Sequence, residues 1–149
     1  MFRVTLRTAE EKADLEVSWA RPDEDFFGAG ACHVLAGAFL RAYPDAGFHA
    51  LHIQPASGFR GGHVVVTNGA WIFDCRGWNR NAGFLNNYEQ ALRALQPGWS
   101  CALHVVDDPI GWDFCRAHRH RHPSQFARDP VARAALFLER FPGPSAAHS

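Results

Sequence analysis

Residues 62–78, GHVVVTNGAWIFDCRGW, decide the fold that the amino-acid sequence predicts. Two runs rich in β-branched and aromatic residues flank Asn68 and Gly69, the pair that most favours a two-residue type I′ turn. The segment therefore predicts a β-hairpin. Both faces of this hairpin are apolar apart from one histidine and one aspartate, a pattern typical of strands that are covered on both sides of a sheet.

A two-residue turn at 68–69 would determine which residues lie opposite each other in the hairpin. In that register Val66 faces Trp71. Three positions further from the turn, His63 faces Asp74. Directly opposed residues hold their Cβ atoms about 4.5–5.5 Å apart on one face of a sheet. The register thus predicts a hydrogen bond between the His63 imidazole and the Asp74 carboxylate.

The N-terminal residues predict strands and a loop. FRVTLR (2–7) alternates apolar and polar residues, which indicates a strand. Thr8 and Glu11 fit the capping box of a short helix, but the alternation over 15–19 indicates a second strand, which we favour. RPDEDFFGAGA (21–31) is predicted to be a loop.

The remaining segments complete an α+β pattern. Helical periodicity begins at Cys32, and Pro44 ends that helix near Tyr43. The other predicted elements are strands over 47–54 and 99–107, a loop over 55–62, and helices over 84–95, near 109–121 and over 130–141. Since there is no repeat or linker, we expect residues 1–149 to form one domain, in which an antiparallel sheet packs against the Cys32 helix.

Charge and cysteine content limit the partners and the compartment. Fifteen basic residues balance fifteen acidic ones, so we expect neither nucleic acid nor an anionic membrane as partner. The N-terminus lacks the apolar core of a signal peptide and no run approaches membrane-spanning length, which predicts a cytoplasmic location. The four cysteines form no CxxC pair and are predicted to be free thiols.

Cys32 is the candidate nucleophile. It follows the glycine-rich run GAGA (28–31) at the start of a predicted helix, where the helix dipole favours a thiolate, and a nearby imidazolium would lower its pKa further. His63 and Asp74 would then act as base and orienting acid. We expect His33 to point to another helix face, His49 and His52 to lack an opposed acid, and Cys75 to lie in the core.

The order of these motifs resembles the papain-like and transglutaminase-like superfamily of thiol enzymes. The resemblance covers residues 28–78, through GAGAC, then GGHVVV, then WIFDCRG. It implies a helix packed on an antiparallel sheet, with Cys32 as nucleophile, His63 as general base and acid, and Asp74 as orienting residue. The substrate it implies is a peptide, a protein or a small amide, and it requires no cofactor.

The chain departs from the papain-like pattern at two positions, and His33 stands where an aromatic residue often follows the cysteine. Phe26 stands six residues before the cysteine, where papain-like peptidases carry glutamine as an oxyanion donor, so only the Cys32 backbone N–H is assigned to that role. Peptidase, amidase, deamidase and transglutaminase-like reactions on an amide or thioester carbonyl all stay open. Trp78 and Arg76 lie in a loop predicted to line the cleft and contact substrate.

Two alternative interpretations of the sequence stay open. Cys115, His118 and His122 share one face of a predicted helix and are zinc ligands by type, but three neighbouring arginines favour a solvated basic helix that could hold an anion. The whole domain could also be a non-enzymatic binding module, or an inactive relative, with an unreactive Cys32.

Overall fold

The computed structural model describes residues 2–149, an α+β fold of helices around one antiparallel sheet. The helices in chain order are α1 (Ala9–Ala13), α2 (Leu15–Trp19), α3 (Asp23–Gly28), α4 (Cys32–Ala42), α5 (Asn81–Leu95), α6 (Trp112–His118) and α7 (Pro130–Leu138). The strands are β1 (His49–Pro55), β2 (His63–Thr67), β3 (Trp71–Asp74), β4 (Gly77–Arg80) and β5 (Cys101–Val106). Short 3-10 turns cover Pro123–Gln125 and Ala146–His148.

The five strands form one sheet in the order β4-β3-β2-β1-β5, and every neighbouring pair is antiparallel. Alternate residues of the central strands serve two separate cores. Val64, Val66 and Phe73 pack with α4 and α7 on one face, whereas Val65 and Ile72 pack with α5 on the other. The predicted α+β class and the predicted covering of both hairpin faces are confirmed.

The predicted hairpin is present, but its register differs by two residues from that of a two-residue turn. Val66 lies opposite Phe73, not Trp71, so the connection is longer. Asn68 explains the longer loop, because its side chain accepts hydrogen bonds from the N–H groups of Ala70 and Trp71 at 3.0 and 2.8 Å. This side-chain bonding competes with a tight turn.

The predicted N-terminal strands are wrong. Residues 2–7 form no strand; their alternation instead places Phe2, Val4 and Leu6 against the α5-side core. Residues 15–19 form α2, because the Asp14 side chain accepts from the backbone N–H groups of Glu16 and Val17 and so caps a new helix. The capping box of Thr8 and Glu11 is present and begins α1.

Part of the predicted loop over 21–31 is also helical. Three acidic residues open α3, where negative charge near a helix N-terminus is favourable. The apolar end of α3 is buried: Phe26 and Phe27 join the core under α4. Phe26 is therefore a core residue in this fold.

The predicted helices and strands after residue 31 are confirmed with altered ends, but the predicted loop that carries Arg76 and Trp78 is wrong in part, because Gly77–Arg80 forms β4 paired with β3. The α4 helix runs to Ala42, as expected from Pro44, and α5 begins three residues before the predicted start at 84. A turn in which Gly111 N–H donates to the Asp108 carbonyl delays α6 to Trp112. The α7 helix begins at Pro130 with Asp129 as its cap, as predicted. None of the helices within residues 2–149 has the length and apolar content needed to cross a membrane.

Candidate active site

Three predicted site residues stand at the ends of their elements. His63 is the first residue of β2 and Asp74 is the last residue of β3, so the antiparallel pairing brings them to the same end of the sheet. Cys32 is the first residue of α4, which packs against β2. The fold thus brings together a helix N-terminus and one end of the central hairpin.

The predicted His63–Asp74 hydrogen bond is present and buried. His63 Nε2 lies 2.8 Å from Asp74 Oδ2, and each side chain is only 1% exposed. Arg76 also pairs with Asp74 Oδ2 through its guanidinium, and its backbone N–H donates to Asp74 Oδ1 at 2.9 Å. Burial would raise the pKa of Asp74, but bonding to His63 and Arg76 outweighs it and lowers this pKa. Asp74 is therefore ionised.

Aromatic residues hold the His63 ring and the loop before it. The Tyr88 ring stacks on the imidazole with ring centres 5.5 Å apart and planes within 9°. The Tyr88 hydroxyl donates to the Gly61 carbonyl at 2.6 Å, and the Trp99 indole N–H donates to the Arg60 carbonyl at 2.8 Å. These contacts determine where the chain enters β2.

The Cys32 thiol has an environment that favours ionisation although it is buried. Burial alone would raise its pKa, but the neighbouring imidazoles of His33 and His63 overcome that effect and lower the pKa to about 5. Burial likewise opposes the charged form of His63, whereas its hydrogen bond to Asp74 and the nearby Cys32 thiol raise its pKa to about 9. Both shifts favour the thiolate and the imidazolium.

The free nitrogen of His63 is consistent with this pairing. Because Nε2 bonds to Asp74, Nδ1 is the nitrogen available to the thiol. That Nδ1 is buried and has no hydrogen-bond partner within residues 2–149. It is the ring nitrogen that a proton exchange with Cys32 Sγ would use.

His33 is a second imidazole next to the thiol, and the prediction that it points away from Cys32 is wrong. Its Nε2 donates to the Arg121 carbonyl at 2.6 Å, which leaves Nδ1 for the cysteine. Burial would lower the pKa of His33, but bonding to Cys115 and Cys32 raises it to about 9. Consecutive helix positions diverge by about 100°, yet the carbonyl of a segment distant in sequence turns this ring toward Cys32.

Three more histidines lie near His33 and the end of α6: His52, His118 and His120. His120 lies with its ring centre 4.5 Å from that of His33, and His52 lies 4.4 Å from His118. Burial and the neighbouring histidines lower the pKa of His52 to about 4 and that of His120 to about 2. Both are therefore neutral. The expectation that His52 has no opposed acid agrees with this, since its strand partners are Val64 and His104.

The candidate metal ligands differ from those considered in the sequence. Cys32, His33 and His120 hold one ligand atom each within 4.8 Å of one another, the single such group of three among residues 2–149. Cys115 instead packs in the interior and His122 stacks on Trp112 with ring centres 3.8 Å apart. The surroundings of the Cys32 group are cationic, which disfavours a divalent metal ion there.

Cys32 lines a pocket of about 310 Å³, which we call the Cys32 pocket. Its lining also includes Gln54 of β1, His118, His120 and four cationic residues: Arg7, Lys12, Arg60 and Arg119. No aspartate or glutamate of the described chain lines it. Ligand sites in proteins have volumes of about 300–1,000 Å³, so the pocket is at the small end of that range.

Trp78 and Arg76 lie outside the Cys32 pocket. The Trp78 indole N–H donates to the Pro142 carbonyl at 2.8 Å, and its ring stacks on His148. Arg76 pairs with Asp74 and donates to the Arg3 carbonyl. Both have structural contacts, and their predicted role in substrate binding stays a prediction.

The other three cysteines differ from Cys32. Cys75 is buried beside Gly28, and burial raises its pKa, as expected of a core residue. Cys115 is buried, whereas Cys101 is partly exposed at the start of β5. All four are free thiols.

No protein-family model matches the chain, and searches of curated proteins and of solved structures found no match.

Proposed function

We propose that this protein is a thiol enzyme in which Cys32 attacks an amide or thioester carbonyl. The observation that carries the proposal is the packing of α4, which begins at Cys32, on the strand that begins at His63, whose imidazole bonds to Asp74 and keeps Nδ1 without a hydrogen-bond partner among the described residues. Nucleophile, base and orienting acid are the three groups that acyl transfer by a thiol requires. In this proposal the fold is papain-like, since a helix that begins with the cysteine packs on an antiparallel sheet that carries the other two residues.

The first step forms a bond between Cys32 Sγ and the carbonyl carbon, and the carbonyl π electrons move to the oxygen. The resulting oxyanion needs donors. Cys32 is at the N-terminus of α4, which has no side-chain cap, so its backbone N–H is available for that role. Gln54 is the one side-chain amide among the described residues of the pocket lining, and we assign its NH₂ as the second donor.

The tetrahedral intermediate then collapses. The carbon–nitrogen or carbon–sulfur bond breaks, and His63 gives its Nδ1 proton to the leaving amine or thiol. Asp74 keeps the imidazolium oriented and compensates its charge. The acyl group remains on Cys32 until water or an acceptor amine attacks it, with neutral His63 taking the proton of the attacking group. Water gives hydrolysis, and an amine gives transfer.

The four free thiols suit a reducing compartment, and we infer a cytoplasmic location for the working enzyme. Nothing in the proposed steps requires a cofactor. The competing hypothesis, a binding module or an inactive relative, predicts an unreactive Cys32.

4-Nitrophenyl acetate tests the proposal without knowledge of the natural substrate. We expect a burst of nitrophenolate, and mass spectrometry of the digested protein should locate one acetyl group on Cys32. The variant Cys32→Ala should lose the burst and keep the fold, as judged by circular dichroism. The matched variant Cys101→Ala should retain the burst. A wild-type protein that acetylates no faster than free cysteine at the same pH would contradict the proposal and favour the binding module.

A further inference from the structure

The strongest unexplained feature of the Cys32 pocket is a positive charge that no carboxylate of its lining compensates. Arg7, Lys12, Arg60 and Arg119 all line it, and none forms an ion pair within residues 2–149. Like charges held together without a counter-ion are unfavourable. A ligand that carries the opposite charge would relieve this repulsion.

Glu11 is the carboxylate whose charge acts on Arg7 and Lys12, but its oxygens are bonded elsewhere. Glu11 is buried, pairs with Arg21 at 2.5 Å and accepts the Thr8 backbone N–H at 3.0 Å. Burial lowers the pKa of Arg7, whereas the charges of Cys32 and Glu11 raise it, each by more than the charge of Arg60 lowers it. Because Arg60 repels Arg7, an anionic ligand would add to the stabilisation that Cys32 and Glu11 supply.

Arg7 lies directly over the segment that leads to the thiol. A Cβ atom on Gly30 would stand 3.1 Å from Arg7 Cδ, and the φ of Gly30 is +109°. Glycine at this position therefore both permits the turn into α4 and leaves room for the arginine side chain. The charge of Cys32 raises the pKa of Arg7, and both residues line the Cys32 pocket.

Arg119 is held in a backbone conformation that favours glycine. With φ 57° and ψ 37° it ends α6 in the left-handed region, and it is the single non-glycine residue with positive φ among residues 2–149. A side chain costs stability there, and such strain is concentrated at functional sites. An arginine at this cap therefore indicates a use for its charge in the pocket.

A half-buried cation next to the pocket has an unpaired donor. Arg121 donates through Nη2 to the carbonyls of Glu11 and Lys12, but its Nη1 is buried and forms no hydrogen bond within the described chain. Arg121 lines a second cavity, which shares Arg7, Lys12 and Arg119 with the Cys32 pocket. The positive region is thus continuous from the thiol to this orphan guanidinium nitrogen.

We propose that the Cys32 pocket binds an anionic group, a carboxylate or a phosphate, carried by the substrate close to the carbonyl that Cys32 attacks. This inference rests on the proposed function for the position of the carbonyl. The anion itself is bound by Arg7, Arg119 and Arg60, with Lys12 at the rim. A free anion of the same chemistry would bind there and shield the thiol.

Two alkylating reagents that differ in charge test the proposal. Iodoacetate and iodoacetamide transfer a group of similar size to a thiol, but only iodoacetate is an anion. The ratio of their rate constants at Cys32, divided by the same ratio for glutathione, measures the preference of the pocket for an anion. At low ionic strength we expect this normalised ratio to be about 10. This is the rate increase that one or two close charge pairs produce in a partly solvated site.

The variants Arg119→Gly and Arg7→Gln should each lower the normalised ratio toward 1. Arg119→Gly keeps the fold, because glycine suits the left-handed conformation. Arg41→Gln, which removes an exposed arginine near the far end of α4, is the matched control and should leave the ratio unchanged. A wild-type ratio near 1, or a ratio that neither pocket variant changes, would refute the anion site.

A second measurement separates this proposal from the proposed function. In Cys32→Ala, inorganic phosphate and succinate are titrated while the amide resonances of Gly30, Gly61 and Gly62 are followed by NMR. Saturable shifts that Arg119→Gly abolishes support the anion site even if the thiol is unreactive, and the anion that binds more tightly identifies the group as phosphate or carboxylate. If neither anion produced saturable shifts, the anion site would be refuted. The reactivity of Cys32, on which the proposed function depends, is tested separately by the iodoacetamide rate.

Discussion

His63 and Asp74 meet as diagonal neighbours across the central hairpin, with Nε2 and Oδ2 2.8 Å apart. Continuing the observed pairing of Val66 with Phe73 puts Asp74 opposite Val65, two residues from His63. Residues two apart on a strand share a face, and diagonal Cβ atoms lie about 7–8 Å apart or somewhat less, within reach of long side chains. Since the imidazole spans the diagonal, its other nitrogen stays free for Cys32.

The reactivity of Cys32 should depend on pH as that of an acidic thiol. Its pKa of about 5 predicts that alkylation by iodoacetamide falls only when the pH drops through about 5, because the thiolate is protonated there. Peptide mass spectrometry over pH 4–9 measures this midpoint. Cys101, whose pKa is raised by burial, is an internal control and should react only at higher pH. A midpoint for Cys32 near the ordinary 8.5 of a free thiol would refute the ion pair.

Asp74→Asn should weaken the ion pair while preserving the shape of the site. The amide oxygen can still accept from His63, but the lost charge lowers the pKa of the imidazole and so raises that of Cys32. We expect slower alkylation of Cys32 at pH 6 and a loss of about 1.5–3 kcal/mol in the free energy of unfolding, as for a hydrogen bond to a charged group.

The matched control for Asp74→Asn is Glu89→Gln, which breaks an exposed ion pair with Arg93. Exposed pairs contribute about 0–1 kcal/mol, so both readouts should stay near their wild-type values. Urea unfolding and NMR titration of the His63 ring check the two effects. An unchanged His63 pKa in Asp74→Asn would show that the carboxylate does not stabilise the imidazolium.

Gln54→Ala should separate oxyanion binding from thiol reactivity. Acylation by 4-nitrophenyl acetate passes through an oxyanion, whereas alkylation by iodoacetamide does not. Loss of one donor costs up to about 10²–10³-fold in rate, so we expect acylation to fall at least tenfold and alkylation to stay within twofold. Stopped-flow and peptide mass spectrometry measure the two rates. Equal losses in both reactions would instead assign Gln54 a role in the fold of the pocket.

The hairpin loop should contribute measurably to stability. Gly69 has φ +93°, and no atom lies within 4 Å of the position that a Cβ would take, so Gly69→Ala adds backbone strain without a clash. We expect a loss of about 1 kcal/mol in the free energy of unfolding. Gly83→Ala adds the same methyl group in open space within α5 and should instead stabilise by up to about 1 kcal/mol. Denaturant unfolding of both variants tests the difference in sign.

The predicted pair of His63 and Asp74 is present although the longer loop shifts the register by two residues. A shift of two residues returns every side chain to its original face, because side chains alternate with a period of two along a strand. His63 and Asp74 therefore stayed on one face, although they are not directly opposed. A shift of one residue would have separated them.

The short N-terminal segments show where pattern alone fails. Phe2, Val4 and Leu6 alternate because every second side chain packs on the α5-side core, and this burial requires no sheet partner. Carbonyls of that segment are bonded instead by the arginine side chains of distant loops, Arg76 to Arg3 and Arg60 to Arg7. A strand differs from an extended coil in its backbone hydrogen-bond partners. For residues 2–7 those partners are distant in sequence, so the local pattern does not reveal them.

The sequence by itself determined the central hairpin, the helix that begins at Cys32, and the shared face of His63 and Asp74, because each depends on periodicity or on turn residues within a short segment. Only the tertiary structure decided the surroundings of the thiol. His33 reaches Cys32 because its ring bonds to the carbonyl of Arg121, and Arg7, Arg60 and Arg119 share one pocket only after three distant segments meet. Electrostatic interactions between these groups, and hence their pKa values, depend on distances in space that a local sequence pattern does not contain.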